Sequence, residues 1–147
     1  MPDPSLIAQE PSADALARLL GEARGAAQRA YAPYSHFRVG AALLDAAGQT
    51  FVGCNVESAS YGLTVCAERV AIWKALSEGE RDFARLVIVA DTEQLTPPCG
   101  TCRQIIWEFC KHATIVLANL HGQKEELHVA DLLPRAFDAR FLKEAAR

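Results

Sequence analysis

Two short runs of apolar residues, Leu86 to Ala90 and Thr114 to Ala118, constrain this chain more than any other feature. They are rich in β-branched residues and do not alternate apolar with polar, the pattern of strands covered on both faces. Between them Pro97, Pro98 and Gly100 punctuate the chain and Arg103 to Lys111 has helical character. The order is therefore strand, loop, helix, strand, which implies α/β layering.

The flanking segments add to that frame. Ser12 to Ala30 reads as a helix with Ser12 as N-cap, carrying Leu16, Leu19, Leu20, Ala23, Ala27 and Ala30 at helical spacing. Phe37 to Leu44 and Gln49 to Val56 read as a hairpin closed by an Ala-Ala-Gly turn. Residues 57 to 65 form a polar, aromatic loop, and Ala67 to Glu78 a helix ending at Gly79. A last strand is expected near Leu127, then short helices over Ala130 to Ala145 broken at Pro134.

At 147 residues the chain is one domain, and with half its residues hydrophobic and 22% charged it has the apolar surface to offset its ordering entropy. The formal charge is −3, with no Lys/Arg stripe, which argues against a nucleic-acid partner. No apolar run approaches the ~20 residues of a membrane span. The opening MPDPSLIAQEPSAD has acids and prolines where a secretory signal needs a basic start and an apolar core, so the expected location is cytoplasmic, where thiols stay reduced. Five cysteines are an odd count, and metal binding or catalysis is more natural than a disulfide framework.

Three of the five stand where strand-to-helix loops expose them: Cys66 in TVCAERVAI, and Cys99 with Cys102 in PPCGTCRQ. The start of a helix stabilises a thiolate, the form that binds metal. Two sulfurs at C-x-x-C spacing converge on one ion, and Cys66 on the neighbouring loop supplies a third, which points to Zn2+. Three protein ligands leave the fourth position open, the catalytic arrangement, and Glu68 on the same helical turn aims a carboxylate at water there. Cys54 and Cys110 read as small buried hydrophobes, and His36, His112, His121 and His128 have no partner spacing.

Cys-Ala-Glu-Arg at 66 to 69 with Pro-Cys-Gly-Thr-Cys-Arg-Gln at 98 to 104 resembles the zinc signature of the cytidine deaminase family, in particular its small homotetrameric nucleoside enzymes. The likeness continues through Ala-Pro-Tyr-Ser-His-Phe-Arg-Val-Gly-Ala-Ala-Leu at 32 to 43, Gly-Cys-Asn-Val-Glu at 53 to 57 and Leu-Leu-Pro-Arg-Ala-Phe at 132 to 137. It implies a three-layer α/β/α sandwich around a mixed five-stranded sheet, spanning residues 12–137, with a C-terminal helical tail over 138–147 and a flexible stretch over 1–11.

The resemblance further implies hydrolytic deamination of cytidine and 2′-deoxycytidine in pyrimidine salvage, with one zinc per subunit held by Cys66, Cys99 and Cys102. Glu68 would take a proton from water, pass it to N3 of the pyrimidine and deliver one to the departing amino group. Arg69 would offset the negative charge of three thiolates. Asn55 and Glu57 would meet the ribose hydroxyls, Phe37 the pyrimidine ring, and the Ala67 backbone the base edge. Tyr61 and Phe137 would reach a neighbouring subunit's site in a homotetramer. Taken without the family pattern, Asn55 and Glu57 read rather as turn hydrogen-bonders and the two phenylalanines as core.

This chain departs from the family pattern at Ser58, where Asn is usual, at Thr101, where Ala is common, and at Pro97, where Ser or Thr is common but only a backbone carbonyl is wanted. Three rival readings stay open. One is a deaminase of a modified cytosine nucleoside such as blasticidin S. Another is an editing deaminase on RNA or single-stranded DNA, which the −3 charge disfavours. The last is a structural zinc module, which would need a fourth ligand from Cys54, Cys110 or a histidine.

Overall fold

The computed structural model describes residues 12–145. The sequence of elements is α1 (Ala13–Gln28), β1 (Val39–Asp45), β2 (Thr50–Cys54), α2 (Ala67–Ser77), β3 (Phe83–Ala90), α3 (Gly100–Phe109), β4 (Thr114–Asn119), β5 (Lys124–His128), α4 (Val129–Leu132) and α5 (Ala139–Ala145). The expected flexible stretch 1–11 lies outside the described residues. Among those described, no helix is long and apolar enough to cross a membrane.

The five strands form one sheet in the order β2-β1-β3-β4-β5, with β3 and β4 parallel and the other pairs antiparallel. This is the mixed five-stranded sheet that the family resemblance implied. Its apolar runs are divided between two cores by strand alternation. Leu86 and Ile88 face α2 and α3, packing with Ala67, Ala71, Ile72 and Ile106. Val87 and Val89 face the other way, against Leu19 and Ala23 of α1. Each such side chain contributes about 1.5–3 kcal/mol when fully buried, so neither face can be stripped without losing the fold. The layers are α1, sheet, and α2 with α3.

Two glycines set how closely the helices approach. A Cβ on Gly40 would lie 1.9 Å from the Ala23 carbonyl oxygen of α1, and one on Gly53 would lie 2.5 Å from that of Ala67 and 2.6 Å from the Ala71 nitrogen in α2. Only a residue without a side chain lets those backbones touch the sheet. Gly53 thus seats the first turn of α2, the turn that carries the chemistry.

Because β2 and β3 are each antiparallel to β1, they run in the same direction. Both then lead from their C-terminal ends into a helix on the same face. The starts of α2 and α3 are brought to one edge of the sheet, the place where open α/β sheets bind ligands. Several boundaries differ from expectation. Strand β3 begins at Phe83, because Arg85 is buried in the sheet and pairs with Glu126 at 3.5 Å. Helix α3 begins at Gly100 rather than Arg103, and the C-terminal helices reduce to a single turn, α4, and the short α5.

Candidate metal centre and adjoining cleft

Cys66 is the N-cap of α2 and Cys99 the N-cap of α3, both with extended backbone, and neither thiol caps its own helix. Their sulfurs are left free to face each other, and Cys102 joins them from the first turn of α3. The three sulfur atoms lie within 4.8 Å of one another, and Cys66 Sγ is 3.8 Å from Cys99 Sγ. That is far beyond a disulfide bond, about 2.05 Å. A tetrahedral ion with metal–sulfur bonds of about 2.3 Å sets its sulfur ligands about 3.8 Å apart, so the donor set fits zinc.

Electrostatics favour the same assignment. The Cys66 thiol is pushed down to about 5 by its hydrogen bond with Cys102 and by the Arg69 guanidinium beside it. Without an ion, Cys102 holds its proton more tightly, because of the thiolate of Cys66 and its own burial. Arg69 Nη2 donates to Cys66 Sγ at 3.7 Å and to the Thr64 carbonyl at 3.2 Å, and its guanidinium lies 5.7 Å from the ring of Trp73. The arginine is therefore held between the Thr64 carbonyl and Trp73 with its guanidinium beside the Cys66 sulfur. Cys110, by contrast, is buried in the core with its thiol pushed up to about 12, and it takes no part.

Glu68, one residue beyond Ala67 in the first turn of α2, is only 4% exposed. Burial, with the Cys66 charge as a further cause, raises its pKa above the ordinary carboxylate range. A carboxyl poised to hold a proton beside a metal site is what proton transfer near neutral pH requires.

Glu68 opens into a cleft of about 380 Å³ that is also lined by Cys66, Cys99, Ala67, Phe37, Asn55 and Glu57. Its remaining walls include Ser35, Val39, Thr64, Ile88, Thr96 and Pro97, and none is basic. Asn55 and Glu57 also build the wall itself. The Asn55 amide donates to the Phe37 carbonyl at 2.7 Å and accepts from the Val39 N–H at 2.9 Å. The Glu57 carboxylate accepts from the N–H groups of Tyr34 and Ser35 and from the Ser35 hydroxyl, which holds it below its ordinary range. Turn hydrogen bonding and cleft lining thus belong to the same two residues.

Tyr61 and Phe137 stand apart. Tyr61, 74% exposed, borders an outer hollow with Tyr34, Ser35, Glu57 and Thr64. Phe137 is 56% exposed and stacks on Phe141 with ring centres 5.7 Å apart. Neither ring lines the cleft beside this chain's own metal centre. Of the departures, Ser58 accepts from the Ser60 N–H and donates its own N–H to Thr64, fastening the loop before α2, and Thr101 is exposed.

Several site residues were not anticipated. Ser35 fixes Glu57, and its neighbour His36 turns the chain there with φ of 58°, a conformation few non-glycine residues adopt. Arg103 donates to the carbonyls of Pro98 and Leu132, joining the second cysteine loop to α4. Gln104 holds the Phe137 carbonyl. Arg103 and Gln104 directly follow the C-x-x-C and were open to notice; Ser35 sits in the matching segment 32–43, where only Phe37 was given a role.

Three thiols at paired helix starts of an α/β/α sheet, with a buried carboxylate one residue into the first turn, define a zinc-dependent hydrolytic deaminase. A family model described as the cytidine and deoxycytidylate deaminase zinc-binding region matches residues 14–118. A cytidine deaminase of Halalkalibacterium halodurans is 50% identical over 127 residues, covering 86% of this chain and 96% of the relative. The crystal structure of cytidine deaminase from Burkholderia pseudomallei superposes with a TM-score of 0.80 at 46% identity, covering 82% of this chain and 98% of that one. A blasticidin-S deaminase of Bacillus cereus is more distant, 30% identical over 104 residues, 65% of this chain and 74% of the relative. The chain belongs to the cytidine and deoxycytidylate deaminase family.

Proposed function

We propose that this protein hydrolytically deaminates cytidine and 2′-deoxycytidine to uridine and 2′-deoxyuridine, releasing ammonia, as a cytoplasmic enzyme of pyrimidine salvage. The observation that carries the reading is Glu68, a buried carboxylate of raised pKa in the cleft that Cys66 and Cys99 also line. Zinc held by Cys66, Cys99 and Cys102 supplies Lewis acidity that brings the pKa of water toward 7. Glu68 receives the proton of the attacking water and delivers it to N3 of the base; it then takes the proton of the hydroxyl newly bonded to C4 and passes it to the amino group, so that the C4–N bond breaks as the C4 carbonyl forms and ammonia leaves. Arg69 keeps the thiolates partly neutralised throughout.

The remaining cleft residues bind and orient. Phe37 packs against the pyrimidine, the Ala67 backbone meets the base edge, and Asn55 and Glu57 receive the ribose hydroxyls. A volume of about 380 Å³ suits a nucleoside. The absence of a basic wall residue and a formal charge of −3 weigh against nucleic acid. In this reading residues 12–137 are the zinc domain and 138–147 a C-terminal tail. The exposure of Tyr61 and Phe137 supports a homotetramer in which these rings complete neighbouring clefts.

A modified cytosine nucleoside of the blasticidin S kind is the second reading, favoured only by the more distant relative. A structural zinc role would need a fourth ligand, and the cluster among the described residues has three. The test is loss of cytidine ultraviolet absorbance with matching ammonia release, with cytosine and CMP as controls. Turnover of cytidine and 2′-deoxycytidine without cytosine supports the reading. No turnover of either by protein carrying one zinc per chain overturns it.

A further inference from the structure

We propose that Asn119, at the end of β4 and remote in sequence from every metal ligand, is a positioning residue for the deamination site. Its side chain is 0% exposed and makes four hydrogen bonds. Oδ1 accepts from the N–H groups of His121 at 2.9 Å and Gln123 at 3.0 Å, closing the β4–β5 hairpin. Nδ2 donates to Gln123 Oε1 at 3.1 Å and, crossing to another element, to the Glu93 carbonyl at 3.0 Å. Glu93 belongs to the loop 91–99 that joins β3 to α3.

That loop ends in the cleft. Thr96, Pro97 and Cys99 all line it together with Glu68. Within the loop the Thr92 hydroxyl bonds to the Gln94 carbonyl and lies 2.9 Å from that of Thr96, so the chain beside Glu93 is tied to the wall at Thr96. The far end is held separately, by Arg103 Nε on the Pro98 carbonyl at 2.8 Å. Asn119 fixes the near end. With both clamps made, the chain beside Cys99 is set before substrate enters.

The other hairpin shows that an asparagine is not needed merely to close the turn. There Asp45 Oδ1 accepts from Ala47 and Gln49, the residues two and four positions on, the same pattern Asn119 makes with His121 and Gln123. An aspartate therefore closes such a turn without help. What Asn119 adds is the amide donor, and the donor that leaves the hairpin goes to the β3–α3 loop.

The inference rests on the cleft being the deamination site and extends it to a distant residue. Thr96, Pro97, Cys99 and Glu68 border the reacting end of the cleft, whereas Asn55 and Glu57 come from the loop before α2. Loosening the β3–α3 loop should thus lower kcat with little change in KM.

The experiment compares wild type, Asn119→Asp and Gln123→Ala as zinc-loaded proteins, by zinc content, steady-state kinetics on cytidine and amide hydrogen exchange. Asn119→Asp keeps the turn acceptor and loses the donor to Glu93. It is expected to hold one zinc per chain, exchange faster at 92–97, and lose about ten-fold in kcat with KM within about three-fold of wild type. Gln123→Ala removes only the hairpin partner and should match wild type in kcat and in exchange at 92–97. Wild-type kcat and wild-type exchange at 92–97 in Asn119→Asp, with only Tm lowered, would overturn the proposal. If Asn119→Asp does not accumulate folded, Asn119→Ser, whose shorter hydroxyl does not span to Glu93, carries the same expectations and the same contrary result. A wild type inactive on cytidine would fail the functional reading itself, and exchange at 92–97 would still decide whether Asn119 clamps the loop.

Discussion

The two strand-to-helix junctions that meet at the metal centre are built alike and do different work. Each ends in a cysteine N-cap with extended backbone, so each delivers one thiol at the start of a helix. They part at the next positions. In α2 the second and third helical residues are Glu68 and Arg69; in α3 they are Thr101 and Cys102. The α2 junction thus supplies a proton-carrying carboxyl and a counter-charge, and the α3 junction a second ligand. The loops before them diverge too: residues 55–66 hold Asn55 and Glu57, while 91–99 carries the Thr96–Pro97 wall. In the proposed function the first junction would supply one ligand, read substrate and move protons, and the second would complete the metal site.

The sharpest way to break this contrast is to remove the α3 junction's third helical residue. Cys102→Ala leaves two thiols, and we expect loss of stoichiometric zinc with deamination falling to the detection limit, measured by metal analysis and cytidine turnover. The matching position in α2 should behave differently. Arg69→Ala is expected to stay folded while zinc affinity or kcat/KM falls about 10–100-fold, read by chelator competition and kinetics. Wild-type values for both would remove Arg69 from the account.

A smaller, pH-dependent effect sharpens the role of the loop before α2. The Ser35 hydroxyl and the Tyr34 and Ser35 amides keep Glu57 ionised below its ordinary value of 4.5. A lowered folded pKa means the contribution is present above about 4.5 and disappears as pH falls through the folded value. The Tm difference between wild type and Ser35→Ala should therefore be full at pH 7 and shrink below about pH 4.5. A difference that is constant with pH would show that Glu57 ionisation is not what Ser35 stabilises.

How much of this the sequence revealed depended on whether a residue's role lay in its own neighbourhood. Cys66, Glu68, Cys99 and Cys102 were legible because helix starts and ligand spacing are local, and the paired apolar runs announced β3 and β4. Arg85 hid the start of β3, since a charged residue breaks an apolar run even when Glu126 on β5 partners it in the fold. Strand β5 was expected near Leu127, but it is exposed along almost its whole length and has no apolar alternation, so its bounds were not legible. The roles of Asn119 and Ser35 were hidden for a related reason: each acts through hydrogen bonds to a loop distant in sequence, and no periodicity records such contacts. Gly53 entered the sequence reading only as part of the 53–57 match, and the need for a glycine there lies in the α2 backbone packed against it.

The central claim is that the α2 junction performs the proton transfers while the α3 junction completes the metal site. The most direct measurement is cytidine turnover by Glu68→Gln with zinc quantified in the same samples. The account predicts one zinc per chain, as in wild type, with kcat reduced about 10²–10⁴-fold, the range for removal of a general acid–base group. Turnover near the wild-type rate in zinc-replete Glu68→Gln would contradict it.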